Sequence, residues 1–388
     1  MNNINEKAAV HVNRVRKRPY DLIVIGAGPA GAFTAALASA AGFKTALIEK
    51  ASMPRDKICG GFISSRCISL LPKELAVSSA AAVPVSNLNV IRSNKIYRYQ
   101  AHDKLGLLTD RRDFDLLLYH YALDRNAEPY EKCRVTAVVG INGRSTEKPL
   151  FTVRTDNRKY PEIQARYLVG ADGAYSSIAR LAGLRKRLPG LCGRGFATCL
   201  PTGDKREPAL LEFYPLPLLG GMGWSFYRPG WINRGVGGLA GSHKLLDAYR
   251  LLFSTGPGDN TPRGWLLPFG GPFLPDATGN LLLVGDAAGF VEPFSGEGLF
   301  NTFISARMAV SALIEAENTG QTAGVLYARL VKNYFRKGFF PALAGAVVLH
   351  GCAVLNPSLL LNRIAALAEN GLWFNRQPSI SEDNAFFR

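Results

Sequence analysis

The segment Tyr20–Lys50, "YDLIVIGAGPAGAFTAALASAAGFKTALIEK", constrains the fold more than any other stretch. An apolar run gives way to Gly26-x-Gly28-x-x-Gly31, then to an alanine-rich stretch of helical length, then to a second apolar run ending at Glu49. That order predicts strand, tight turn, helix and strand, a βαβ unit with its two strands parallel in one sheet. The glycines let the backbone approach a pyrophosphate, and the helix amino end offers N–H groups and positive dipole. Glu49, eighteen residues past Gly31, can accept hydrogen bonds from a ribose diol and would repel a 2′-phosphate. The adenosine of FAD or NAD is therefore favoured over that of NADP. The residues expected to hold it are Gly26, Gly28, Pro29, Ala30, Gly31, Glu49 and Lys50.

The 388 residues leave room for more than this unit. Strand-like runs follow around 87–99, near 134–139, 150–155 and 163–169, the last three reading as an antiparallel meander. A helix is expected from Phe114 to Arg125 with Asp113 as its cap, and a long one from Gly298 to Ala316. Residues 183–280, rich in Gly, Pro and aromatics, suit a second, mainly antiparallel sheet. The expected organisation is α/β (α+β): a discontinuous Rossmann-like domain from 19–86, 108–182 and 280–335, with 87–107 and 183–279 as an inserted substrate-binding domain. A basic arm, 1–18, precedes these segments, and a helical segment, 336–388, follows them. Within the latter, Phe339–Leu355 is apolar but short and broken for a membrane span, so a core or lipid-contacting helix pair is expected.

Lys and Arg outnumber Asp and Glu to give a net charge of +16, which suits anionic ligands or an acidic membrane surface. No aromatic-basic or zinc-finger pattern accompanies the charge, so nucleic acid is not expected as a partner. The six cysteines lack CxxC pairs or dense spacing, which argues for free thiols in a reducing, cytoplasmic setting with at most peripheral membrane contact. No metal site is expected, and His102 and His120 read as surface residues.

Far downstream, "GDAAGFVEPFSGEG" (Gly285–Gly298) places an aspartate at a strand end before a second glycine-rich turn. That pattern suits a ribityl chain and an isoalloxazine ring, for which a nicotinamide enzyme has no need. With "GAGPAG", "PRDKICGG", "DRRDFD" and "GADGAYSS" in this order, the chain resembles FAD-dependent oxidoreductases of the p-hydroxybenzoate hydroxylase fold, and among them the geranylgeranyl reductase family. The resemblance implies FAD as cofactor and NAD(P)H as transient reductant, with a separate flavin reductase as a further partner. It places Lys57, Cys59, Gly60, Gly61, Arg111, Asp172, Gly173, Gly285, Asp286, Ala287, Pro293, Gly296, Glu297, Gly298 and Leu299 at the flavin. Gly60 and Gly61 would let the backbone approach the ring, and Cys59 is either a catalytic thiol or a packing residue.

"GMGWSFYRPGWINRGVGG" resembles the substrate-sheet pattern of prenyl reductases, Tyr-x-Trp-x-Phe-Pro, with Trp224 and Phe226 in register as pocket residues. Met222 and Tyr227 replace the tyrosine and the proline, and Met222 also departs from the tryptophan of flavin halogenases. "GVGGLA" reads as a strand rather than a second nucleotide turn. Two reactions fit: reduction of a carbon–carbon double bond in an apolar, prenyl-like substrate, or flavin monooxygenation of a natural-product or carrier-bound intermediate.

Overall fold

The computed structural model describes residues 18–77, 82–92, 95–140, 150–184, 192–202, 208–253, 261–269, 277–293 and 295–335. The basic arm up to 17, the segment 336–388 with its apolar stretch, and Phe294 lie outside them. Two sheets organise what is described.

Tyr20–Ile25 is the middle of the first, eight-stranded sheet and pairs in parallel with Thr45–Ile48 on one side and Glu162–Gly170 on the other. It is buried almost throughout, as a parallel strand covered on both faces must be. Leu281–Leu283 adds in parallel to Glu162–Gly170, and Glu128–Tyr130 to Thr45–Ile48, so the βαβ unit sits inside a larger parallel array. Val135–Val139, Phe151–Thr155 and Glu162–Gly170 form the expected antiparallel meander.

Helix Pro29–Ala40 packs between Arg111–Leu123 and Leu299–Thr319. Its alanines allow the close approach, and Phe33 meets Phe303 edge-on at 4.9 Å. The second of these helices starts three residues earlier than expected. Asp110, in extended conformation, accepts from Arg112 N at 2.8 Å and is the cap; Asp113 lies within the first turn, where its charge faces the helix dipole. Leu299–Thr319 is long and apolar enough to cross a membrane by length and composition, but 72% of its apolar window is buried inside the fold. A last helix, 323–335, ties back through Tyr327 Oη to Leu283 O at 2.7 Å.

The second, nine-stranded sheet runs Arg263–Pro268, Cys192–Pro201, Trp231–Gly238, Met222–Arg228, Ala209–Pro215, Val83–Arg92, Gly106–Leu108, Phe62–Ser64, with Lys95–Gln100 paired to Val83–Arg92. Two of its strands, Phe62–Ser64 and Val83–Arg92, begin within the stretch expected to accompany the first sheet. "GVGGLA" begins inside Trp231–Gly238, a strand as expected. Period-two alternation divides the faces of this sheet. Val236 packs with Leu245 and Tyr249 of helix Ser242–Phe253 on one side. Trp224 and Phe226, on the other, look toward residues 57–61.

Candidate functional site

The glycine turn is closed too tightly for side chains. A Cβ on Gly31 would fall 1.7 Å from Gly26 O, and Gly26 itself has φ +103°. Gly28 caps helix Pro29–Ala40 with no side chain over its first N–H groups, leaving that helix end to a ligand. Glu49 is 4% exposed and accepts from Ala27 N at 2.9 Å and Ala51 N at 3.1 Å, so its carboxylate also braces the turn. Lys50, next in sequence, is exposed. A residue that sequence reasoning passed over stands beside them: Arg55 Nε is 3.5 Å from Glu49, its Nη1 is 4.0 Å from Asp115, and its Nη2 is 3.0 Å from where a Gly28 Cβ would lie. The signal was available, since a cation six residues past the carboxylate expected at the ribose is suited to a pyrophosphate.

The downstream motif reaches the same helix end. Gly285 lies against Ala30 and donates to Ser305 Oγ at 3.0 Å. Asp286 Oδ2 is 3.7 Å from Lys57 Nζ, and Ala287 is buried behind it. The turn holding Pro293, Gly296 and Glu297 is closed by Gly296 N to Glu292 O at 3.0 Å and Glu292 N to Glu297 O at 2.9 Å. Gly298 then caps a helix beginning at Leu299, again without a side chain over the end. The Glu297 carboxylate is held by Ser64 Oγ at 2.6 Å and Arg66 Nε at 3.0 Å, while the Arg66 guanidinium lies 4.6 Å from the Phe300 ring centre. Neither Ser64 nor Arg66 carries a sequence signal, because their partners are more than two hundred residues away.

Residues 57–61 form a strap between the two sheets. On one side Arg111, 6% exposed, grips Asp115 through Nε at 2.8 Å and Nη2 at 3.3 Å, with the Cys59 side chain in hydrogen-bonding reach. Burial works against the Arg111 charge, but Asp115 and Cys59 outweigh it and raise its pKa above the usual arginine value. On the other side Asn233 Nδ2 donates to Cys59 O at 2.9 Å, and Trp224 Nε1 donates to Asn233 Oδ1 at 2.8 Å. The geometry gives Gly60 a further reason beside the one expected: a Cβ there would meet Phe226 Cε2 at 2.8 Å. The missing side chain accommodates the aromatic sheet. At Gly61, with φ +80°, a Cβ would meet Thr109 O at 2.5 Å. Asp172 turns its carboxylate onto its own helix, accepting from Ser177 N at 2.7 Å and Ile178 N at 3.2 Å, so Gly173 and the backbone are what this loop presents outward.

Aromatic rings line the sheet face beyond the strap. Trp224 lies 6.2 Å from Phe226 and 6.1 Å from Trp265, and Phe226 lies 5.4 Å from Phe213 and 6.2 Å from Phe62. Trp265 was missed because its strand is distant in sequence from the motif it completes. Met222 shares the register of Trp224; Tyr227 projects to the opposite face, within reach of Glu212. Among the described residues no group of three or more His, Cys, Asp or Glu side chains converges.

This donor set fits FAD: a cradle that side chains would fill, two helix amino ends without side-chain caps, and a carboxylate at each end of the groove. Residues 19–191 match the family described as FAD binding domain. The chain is 28% identical over 357 residues to the menaquinone reductase of Mycobacterium tuberculosis, covering 85% of this chain and 84% of that one. It is 27% identical over 328 residues to the digeranylgeranylglycerophospholipid reductase of Methanosarcina acetivorans, covering 78% and 77%. The chain is an FAD-dependent oxidoreductase similar in sequence to the geranylgeranyl reductases.

Its fold agrees with that similarity. A geranylgeranyl bacteriochlorophyll reductase-like protein of Thermoplasma acidophilum superposes with a TM-score of 0.76 at 20% identity, over 91% of this chain and 92% of that one. A flavin-dependent halogenase, CmlS, gives 0.65 at 17% identity, over 84% and 63%. The chain thus shares its fold with both, and the reaction has to be argued from the wall opposite the strap.

Proposed function

We propose that this FAD-dependent oxidoreductase reduces a carbon–carbon double bond in a prenyl or similarly apolar chain, and that the nine-stranded sheet is its substrate-binding domain. The observation that carries this reading is the run of aromatic rings on the sheet face beside the strap, Trp224, Phe226, Phe213, Phe62 and Trp265, an apolar surface on which Trp224 Nε1 is already bonded to Asn233. The reductase names of the relatives point the same way. When bound, FAD supplies the electron pair, itself replenished by NAD(P)H in this reading.

The chain supplies the rest. The 26–31 turn and Arg55 hold the pyrophosphate, Glu49 the ribose, and Asp286 with the 293–299 turn the remainder of the cofactor. The aromatic wall excludes water and lays the double bond along the strap. Isolated alkenes take up an electron pair poorly unless a proton arrives with it, so an acid at the strap is required; Cys59 Sγ–H, steadied beside Arg111, is the candidate proton donor. The apolar substrate and the positive charge of the chain suit work at the surface of an acidic membrane.

A second reading, monooxygenation, is favoured by the halogenase-like fold. Anaerobic incubation of the holoenzyme with NADPH and a geranylgeranyl lipid or a prenylated quinone separates the two. Reduction that proceeds without oxygen supports the proposal; turnover that strictly needs oxygen sinks it.

A further inference from the structure

Asn233 lies in the substrate sheet, has no part in the nucleotide motifs, and touches both sides of the gap. Its orientation is fixed by chemistry: an indole N–H can only donate and a backbone carbonyl can only accept, so the amide must turn Oδ1 to Trp224 and Nδ2 to Cys59. The two bonds are 2.8 and 2.9 Å long, and they join residues 9 and 174 positions away in the chain. Beside them Gly60 rests on Phe226, at a distance no Cβ would tolerate. On the opposite side, Thr109 N donates to Gly61 O at 2.9 Å and Arg111 reaches the Cys59 side chain.

We propose that Asn233 is a positioning residue, a latch that holds the peptide of Cys59 and the indole plane of Trp224 in fixed register and so sets the gap between the cofactor side and the substrate wall. Among the described residues, the amide of Asn233 is the strap support that also holds a wall residue by a directed bond. Without it, Trp224 loses the acceptor that orients its ring and the Cys59 carbonyl loses a donor in a half-buried place. The strap then keeps its apolar contact with Phe226 but no longer its height. The importance of the gap for turnover rests on the function proposed above, whereas the latch itself does not.

Asn233→Asp tests the latch, because a carboxylate of the same size still accepts from Trp224 but can only repel the Cys59 carbonyl. The readout is the alkylation rate of each thiol by iodoacetamide, followed by peptide mass spectrometry on the full chain with FAD bound. Cys67 and Cys133, both buried, report general loosening. Cys199 lies within hydrogen-bond reach of Asn233 and is not a control. Loss of one hydrogen bond predicts that Cys59 labels about three- to tenfold faster, with Cys67 and Cys133 unchanged. Trp224→Phe, which leaves the Cys59 bond but frees the amide at its other end, is expected to give a smaller rise. An unaltered Cys59 rate in Asn233→Asp would overturn the proposal. So would a parallel rise at all three thiols, which marks Asn233 as a general stabiliser only. The anaerobic turnover assay is independent of this result, so failure of the latch and failure of the reductase reading are told apart.

Discussion

Lys57 Nζ and the Asp286 carboxylate meet at 3.7 Å, joining the strap after the second strand to the turn after the last strand of the first sheet. Both side chains are partly open to solvent, so the pair contributes little to folding. Lys57→Gln is expected to lower the unfolding free energy by less than about 1 kcal/mol. Asp286→Ala removes a charged hydrogen-bonding group from the cofactor groove and is expected to weaken FAD binding about ten- to hundredfold. Flavin fluorescence titration of the reconstituted protein measures this, and wild-type affinity in Asp286→Ala would place the carboxylate outside the site.

Two glycines of the nucleotide side differ in what a methyl group would meet. At Gly31 it would collide with the carbonyl of Gly26; at Gly173, with φ +80°, nothing lies within 4 Å. Gly31→Ala should cost about 3 kcal/mol or more and abolish FAD uptake. Gly173→Ala carries backbone strain alone, about 1–2 kcal/mol. Urea unfolding of the two variants checks the ordering, and equal losses would contradict the geometry.

Gly60→Ala should be rescued by a change on a strand distant in sequence, Met222–Arg228. The added Cβ meets the edge of the Phe226 ring, so the single variant is expected to lose about 1–3 kcal/mol by overpacking. In the Gly60→Ala/Phe226→Leu pair the aliphatic side chain leaves room, and the double variant should be more stable than the sum of the two singles. Strict additivity in denaturant titrations would mean that the two residues do not share this contact.

Stability should fall in strong alkali, in part through Tyr334. Burial pushes its phenol up to about 12, against the opposing pull of Arg66. Between pH 10 and 12 the unfolded chain releases this proton while the folded one keeps it. The contribution is therefore complete below pH 10 and is lost as pH rises through that window. Tyr20, Tyr119, Tyr167 and Tyr214 are raised too, first by burial, and add in the same direction. Tyr334→Phe should reduce the alkaline loss by on the order of 2 kcal/mol, read as a shallower decline in unfolding free energy across the window.

The parts of the site that were legible in the sequence are those whose partners lie close along the chain. Gly26, Gly28, Gly31 and Glu49 fall within one βαβ unit, where period and spacing determine geometry. Asp286 was legible because a strand end followed by small residues is itself a local pattern. Asn233, Arg66 and Trp265 were not, since nothing in the composition around them differs from an ordinary strand or helix start. Their meaning comes from Cys59, Glu297 and Trp224, brought near only by the pairing of distant strands. Gly60 shows the intermediate case: its need for a bare backbone was readable, but the neighbour that imposes it, Phe226, was not.

The bond from Ser64 to Glu297 spans 233 residues and fixes when the site can come into being. At a translation rate of roughly 5–20 residues per second, on the order of 10–50 s pass between the synthesis of one partner and the other. During that interval the nascent chain carries its glycine turn without the second helix end that completes the groove. A complete groove is therefore a late product of synthesis, and a ligand bound across it would stabilise the nearly finished chain rather than help the early strands find one another.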